Sequence, residues 1–321
     1  MANIYDIAAK AGVSTATVSR VLAGGKGVSD KLIQRVMEII ESEHYTPNPF
    51  ARGLGSGSMS MVGVLCTDVS DIHYARAVSE VERLLREHGM DSLLCCTGNS
   101  LEGKKRGISL LMSKYVDGII LIGSIFSELD DNSHIASAAQ HVPVASINGF
   151  VDIPNVYCAL CDEKGAVRRV VRHFASRGRR SILYLYDAIT YSGRQKLDGI
   201  TETAAETGCT LRTVFVDRSL DAARDAVSSL LAENAAFDVV LASDDLLSVG
   251  AQHALAGRDI PILGFDASIL ARCATPPLPS IDNRLADLCA IAVSSLLDAI
   301  SGGSPERRVI IPAFFDNADI D

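Results

Sequence analysis

No stretch of this chain approaches the ~20 consecutive apolar residues that a membrane-crossing helix needs, although 48% of its 321 residues are hydrophobic. The opening Met1-Ala2-Asn3-Ile4-Tyr5-Asp6 lacks the basic and apolar regions of a secretory leader, so no membrane span or export and a cytoplasmic location are expected. There are eight cysteines, but no second Cys/His pair with zinc-finger spacing follows Cys158-Ala159-Leu160-Cys161. Reduced thiols in that compartment act as small apolar residues, so the pair is expected to be structural rather than a metal or redox centre. No Gly-x-Gly-x-x-Gly follows an apolar run, which leaves a dinucleotide site unsupported. Gly53-Leu54-Gly55-Ser56-Gly57 looks like a phosphate loop on paper, yet no strand precedes it. No cofactor and no metal is expected.

Charge of one sign is also scarce at the front. The whole chain carries −9, whereas residues 1–60 hold six Lys/Arg and five Asp/Glu, and the rest hold 24 and 34. A near-neutral head on an acidic body is compatible with a module that touches phosphates while the remainder repels them.

Three short helices are read in that head. Asn3 can cap the first, with Asp6 three residues on and Ile4, Ile7, Ala8 and Ala11 on one face, before Gly12 stops it. Ser14 caps the second, whose apolar stripe is Val18, Val21 and Leu22, and Gly24-Gly25 end it. Ser29 starts the third, with Val28 and Ile33 placed as a hydrophobic staple. A turn this short between two small helices makes them cross steeply, the geometry of a helix-turn-helix. A plain core helix over 14–22 would not explain Thr15, Ala16, Ser19 and Arg20 opposite the apolar stripe.

The strings Asp6-Ile7-Ala8, Ala11-Gly12-Val13-Ser14, Ala16-Thr17-Val18-Ser19-Arg20-Val21-Leu22 and Val28-Ser29, with Tyr45-x-Pro47-Asn48-x-x-Ala51-Arg52-x-Leu54, resemble the headpiece of the LacI/GalR family of bacterial repressors. The resemblance implies that Thr15 and Ala16 occupy variable base-reading positions and that Arg20 is the recurring base-contacting arginine. Arg can pair with guanine O6/N7, and Ala or the Thr methyl can meet a thymine methyl. Thr17, Ser19 and Ser29 are phosphate candidates, and Asn48 lies in the contact set. Residues 47–60 are similar to the family's hinge segment, in which Leu54 matches a leucine that wedges into the minor groove. Gly53, Gly55 and Gly57 each cost about 1 kcal/mol in a helix relative to Ala, so a plain tether is the alternative.

From Met61 onward the pattern alternates. Val62–Cys66, Ser92–Cys96, Gly118–Ile122 and Val144–Ile147 read as buried parallel strands, with helices near 74–88, 101–114 and 129–140. A second series places strands at Ser181–Tyr186, Leu211–Val216, Val239–Ala242 and Ile260–Leu263, with helices near 163–177, 193–206, 220–233 and 245–257. The expected fold class is α/β: an all-α helix-turn-helix headpiece (1–46), a hinge segment (47–60) and two doubly wound α/β subdomains (61–321). By the same resemblance this core is periplasmic-binding-protein-like. Its N-subdomain takes about 61–158 and 284–312, its C-subdomain about 162–281, and the chain crosses between them three times. The last helix, near 284–301, packs back on the first subdomain.

Ligands of such sheets bind at the carboxyl ends of the strands. The polar residues there are Asp71, His73, Ser124, Asn148 and Asp244, with Asp266 in Gly264-Phe265-Asp266 and Asn283 in the returning crossover. Against the family pattern, Asp71 and Asp244 stand where Asn is usual, Ile72 and His73 replace Pro and Phe, and Lys196 replaces an effector-binding arginine that Arg194 would stand in for. Carboxylates and amides suit vicinal hydroxyls, so a sugar or polyol is expected; Arg194, Lys196 and Arg218 would suit a phosphate or carboxylate instead.

The expected function is a sequence-specific, effector-controlled repressor. It would be a homodimer on a palindromic double-stranded operator, because one headpiece buries little surface. The alternative within that class is a corepressor-dependent regulator responding to a phosphorylated or acidic metabolite. Catalysis by Asp244, Asp245 and Asp266 lacks a nucleophile motif or metal spacing, and a purely sugar-binding protein leaves the head unexplained. No heptad-bearing tail follows, so tetramers are not expected.

Overall fold

The structure, a computed structural model, describes residues 2–22, 24, 27–45 and 58–315. Asn48, Leu54 and most of the expected hinge lie outside the described residues. The contacts divide the chain into two compact units, one of Met1–Met61 with Tyr115–Asp117 and one of the remainder.

In the first unit, α1 (Ile4–Ala11), α2 (Thr15–Leu22) and α3 (Asp30–Ser42) enclose a small core of Ile7, Ala8, Ala11, Val18, Val21 and Val36. Asn3 and Asp6 form a full capping box: the Asn3 side chain accepts from Tyr5 N and Asp6 N, and Asn3 N donates to Asp6 Oδ2. Gly12 takes the left-handed conformation that ends α1, at φ 63°. Ser14 Oγ accepts from Thr17 N at 3.2 Å, opening α2. Val28 and Ile33 both pack against the core. Ser29 has the extended backbone of an N-cap, but its side chain makes no cap hydrogen bond.

The second unit holds two sheets in which every registered strand pair is parallel. The first contains β1 (Met61–Cys66), β2 (Asp91–Cys96), β3 (Gly118–Ile122), β4 (Val144–Ile147), β5 (Val156–Asp162) and β11 (Arg308–Pro312), in the order β2-β1-β3-β4-β5-β11. The second contains β6 (Ser181–Tyr186), β7 (Thr210–Phe215), β8 (Val239–Ala242), β9 (Ile262–Phe265) and β10 (Ser280–Ile281), in the order β7-β6-β8-β9-β10. Each therefore reverses direction between its first and third strands, where doubly wound sheets open a crevice. Central β3 and β8 are apolar and buried throughout, whereas edge strands β2 and β7 alternate in exposure.

Helices α4 (Ile72–Glu87), α5 (Leu101–Ser113), α6 (Ser133–Ala139) and α12 (Leu285–Ile300) accompany the first sheet, with a 3₁₀ turn at Ser124–Phe126. Helices α7 (Glu163–Ser176), α8 (Tyr191–Thr207), α9 (Leu220–Ala232), α10 (Asp245–Ala254) and α11 (Ile269–Cys273) accompany the second. The chain leaves the first sheet at β5, returns through 282–284 into α12, and after β11 reaches Phe314, which pairs with Asp282.

Several boundaries differ from expectation. β5, β10, β11 and α11 were not anticipated, and β9 runs Ile262–Phe265 instead of Ile260–Leu263. The Cys158-x-x-Cys161 pair lies inside β5, both residues buried. Residues three apart on a strand face opposite sides, so the two thiols belong to different packing layers. Burial pushes both thiols above their ordinary value. Among the described residues no helix is long and apolar enough to cross a membrane.

Candidate functional site

Two surfaces follow from these elements. On the headpiece, burying Val18 and Val21 leaves Ala16, Ser19 and Arg20 exposed and Thr15 and Thr17 half-buried on the other side of α2. Arg20 makes no hydrogen bond or ion pair among the described residues, so its planar donor fork is available. The Thr17 hydroxyl lies 3.0 Å from that of Ser14 and belongs to the cap of α2. Ser29, uncommitted as a cap, is exposed at the start of α3.

In the second unit, the carboxyl ends of both sheets face a cavity of about 330 Å³, near the lower limit of the ~300–1,000 Å³ of small-molecule sites. Asp71 caps α4, accepting from His73 N at 2.8 Å, and its other oxygen takes Arg218 Nε at 3.0 Å. Arg218 also holds Asp187 Oδ2 at 2.9 Å and meets Asp244 Oδ2. One guanidinium thus ties three carboxylates from both sides of the cleft. A second cross-cleft contact joins Ser124 Oγ to Thr190 Oγ1 at 2.8 Å.

At the floor, Lys196 (6% exposed) donates to Ser243 O at 2.9 Å and stands 4.0 Å over the Phe265 ring. Glu163, 1% exposed, accepts through Oε1 from Asn148 Nδ2 at 3.0 Å and Ser192 Oγ at 2.7 Å, while Oε2 has no partner. Asp266 accepts from Asn283 Nδ2 at 2.8 Å and lies 3.6 Å from His73 Nδ1. Asp266 and Ala267 have φ of 94° and 44°, conformations costing of order 1–3 kcal/mol each. Asp245 sustains them: Oδ2 accepts from Ser268 N at 2.6 Å and Oδ1 from Ser280 Oγ at 2.6 Å.

The cleft is anionic. Six acidic side chains line it, Asp68, Asp71, Glu163, Asp187, Asp244 and Asp266, against Lys196 and Arg218. Burial pushes Asp244 up to about 6, helped by Asp187 and opposed by Arg218. Burial likewise pushes Asp245 up to about 6. For Lys196, burial favours the neutral amine, but Glu163, Asp266 and Asp244 outweigh it and raise the group above its ordinary value.

Residues 59–315 match the family described as periplasmic binding proteins and sugar binding domain of LacI family, and residues 3–48 match bacterial regulatory proteins, lacI family. The chain belongs to the LacI family. An HTH-type transcriptional regulator of Lachnoclostridium phytofermentans is 40% identical over 96% of each chain. The fold is similar to that of a lac repressor dimer bound to operator and the anti-inducer ONPF, with TM-score 0.85, 24% identity and coverage of 97% of this chain and 96% of that one. It is also similar to the transcriptional regulator CelR in complex with cellobiose, with TM-score 0.71, 24% identity and full coverage of both.

This LacI-family chain is accordingly a DNA-binding transcription regulator with a sugar-binding domain, in a family of regulators rather than enzymes. Asp71, His73, Ser124, Asn148, Lys196, Arg218, Asp244, Asp266 and Asn283 all line the one cleft. Arg194 does not: it is exposed, since two residues from Lys196 is over half a turn of α8. The expectation that Arg194 compensates for Lys196 is therefore not met, since Lys196 lines the cleft and Arg194 lies outside it. The carboxylate trio considered for catalysis also separates, because both oxygens of Asp245 are spent on the Ser268–Ser280 loop.

Sequence reasoning missed Glu163, Asp187, Thr190 and Ser192. Asp187 directly follows β6, so the strand-end rule applied to it as it did to Asn148. Glu163 follows β5, a strand that was not read, and its signal was lost with the strand.

Proposed function

We propose that the chain is an effector-controlled repressor, a homodimer on a two-fold symmetric duplex operator, with a polyhydroxylated small molecule, a sugar or sugar derivative, held in the cleft. The observation that carries this reading is the convergence of both sheets' carboxyl ends on one cleft lined by charged and polar side chains, bridged by Arg218. A ligand there contacts both subdomains and can change their angle, a two-state coupling that typically amounts to about 1–3 kcal/mol. The lac repressor dimer on operator and the CelR–cellobiose complex supply the analogy.

In this proposal Arg20, Thr15 and Ala16 meet base edges, and Ser19, Ser29 and Thr17 lie near phosphates, with Asn48 and Leu54 in the linker following the family pattern. The headpiece ends near 46, the linker spans 47–60 and the ligand domain begins at 61. The protein acts in the cytoplasm. The acidic surplus of the cleft opposes a phosphorylated or acidic effector, because an added anion would deepen an unbalanced buried charge.

The test is fluorescence anisotropy of the full-length protein on palindromic and scrambled duplexes, with and without sugars, polyols, sugar acids and sugar phosphates. Palindrome-selective binding that falls with a neutral or basic sugar is expected. Equal affinity for both duplexes under every condition overturns the reading, and tighter binding with a sugar phosphate would favour corepression.

A further inference from the structure

We propose that the ligand of the cleft is a polyhydroxylated amine, an amino sugar, whose ammonium offsets the surplus of carboxylates, Glu163, Asp187 and Asp266 among them, that lines it. This rests on reading the cleft as the effector site and narrows its ligand class.

The first ground is charge. Arg218 is saturated by Asp71, Asp187 and Asp244. Lys196 is left to offset both Glu163, 3.6 Å away, and the nearby Asp266. A protonated His73 would neutralise Asp266 and still leave carboxylates in excess. A neutral sugar keeps that surplus buried and uncompensated, whereas one ammonium offsets part of it.

The second ground is independent of charge. Two residues of the cleft lining, Glu163 and Asn283, each 1% exposed, also hold a buried oxygen without a protein partner, Glu163 Oε2 and Asn283 Oδ1. Both oxygens are acceptors only. Asn283 cannot turn its amide round, because Nδ2 is committed to the Asp266 carboxylate at 2.8 Å. An unpaired buried acceptor is costly, so these oxygens favour a ligand rich in donors. An ammonium brings three donors and no acceptor.

Neighbouring chemistry narrows the class. Thr67, Asn99, Ser124 and Thr190 present hydroxyls and amides along the wall, which suit vicinal hydroxyls and not the methylene chain of a linear polyamine. A metal ion is the other way to offset carboxylates, but the Arg218 guanidinium fills the point where three of them converge. Among the described residues no group of three His, Cys, Asp or Glu is arranged to hold one.

The experiment is titration calorimetry of the full-length protein with glucosamine, galactosamine and mannosamine, each beside its parent hexose and its N-acetyl form. At least one amine is expected to bind about tenfold or more tighter than both neutral counterparts, a difference of about 1.4 kcal/mol, and to weaken with added salt. Glu163→Gln and Asp187→Asn are each expected to shrink that preference severalfold, and Asp187→Asn decides alone if Glu163→Gln does not fold. No preference for an amine in any series, including no binding at all, overturns the proposal, as does a preference that Asp187→Asn leaves intact. Anisotropy on operator DNA separates the two readings. A neutral hexose that binds tightest and releases operator keeps the regulator and removes the amine. An amine that binds without changing operator affinity does the reverse.

Discussion

Arg20, Asp266 and Asp244 each owe their position to a different local cause. Arg20 is exposed because Val18 and Val21 take the buried face of α2. Arg20→Ala is expected to abolish palindrome preference, costing at least about 1–3 kcal/mol per half-site, while calorimetry shows unchanged ligand binding; unchanged operator affinity would contradict the assignment. Asp266 is turned into the cleft by a left-handed backbone that Asp245 and Ser280 hold in place. Asp266→Ala is expected to remove the effector response in the anisotropy assay and to leave ligand-free operator binding intact. Asp244 has its proton affinity raised, chiefly by burial, to about 6. An acid whose folded value exceeds its unfolded ~3.9 favours the folded state at low pH, and that contribution is lost as pH rises from about 4 through about 6. Asp244→Asn, in which a carbonyl oxygen can still cap Leu247 N, should therefore raise the melting temperature relative to the parent more at pH 8 than at pH 5. Melting curves that show the same difference at both would refute the shift.

Helix packing in the second subdomain depends on close approach. A Cβ on Gly250 of α10 would stand 2.4 Å from Leu220 O and 2.7 Å from Ala223 Cβ of α9. Gly250→Ala gains about 1 kcal/mol of helix propensity yet forces the two helices apart. The expected net result is a melting temperature lower by several degrees, with a rise counting against the contact. At this scale most elements were legible, because buried parallel strands are short apolar runs and the helices repeat every 3.6 residues. β5 was not, since Asp162 caps α7 directly after it and no loop marks its end. β10 has two residues and exists only through its pairing with β9. Such elements are defined by neighbours distant in sequence, not by their own pattern.

For the whole molecule, the Asp71–Arg218 pair spans the cleft and is expected to bias the angle between subdomains. Asp71→Asn removes one charge from that bridge while keeping an oxygen for the α4 cap. It is expected to change effector potency by about tenfold or more, within the 1–3 kcal/mol typical of coupling. An unchanged dose–response curve would leave the bridge without a regulatory role. Sedimentation should show a homodimer, and one dimer per palindromic duplex.

What the amino-acid order determined alone was local: caps, apolar periodicity, the exposed face of α2 that carries Arg20, and strand ends that carry Asp71, Asn148, Asp244 and Asp266. These follow from interactions within about four residues, or from strand and helix period. Tertiary structure alone decided that Arg194 points away, that Asp245 supports a loop, and that Glu163 and Asp187 join the cleft. It alone brought Arg218 among three carboxylates from separate elements. Charge balance in a buried site is a sum over residues far apart in sequence, so only the folded arrangement could show that the cleft has acceptors and negative charge to spare.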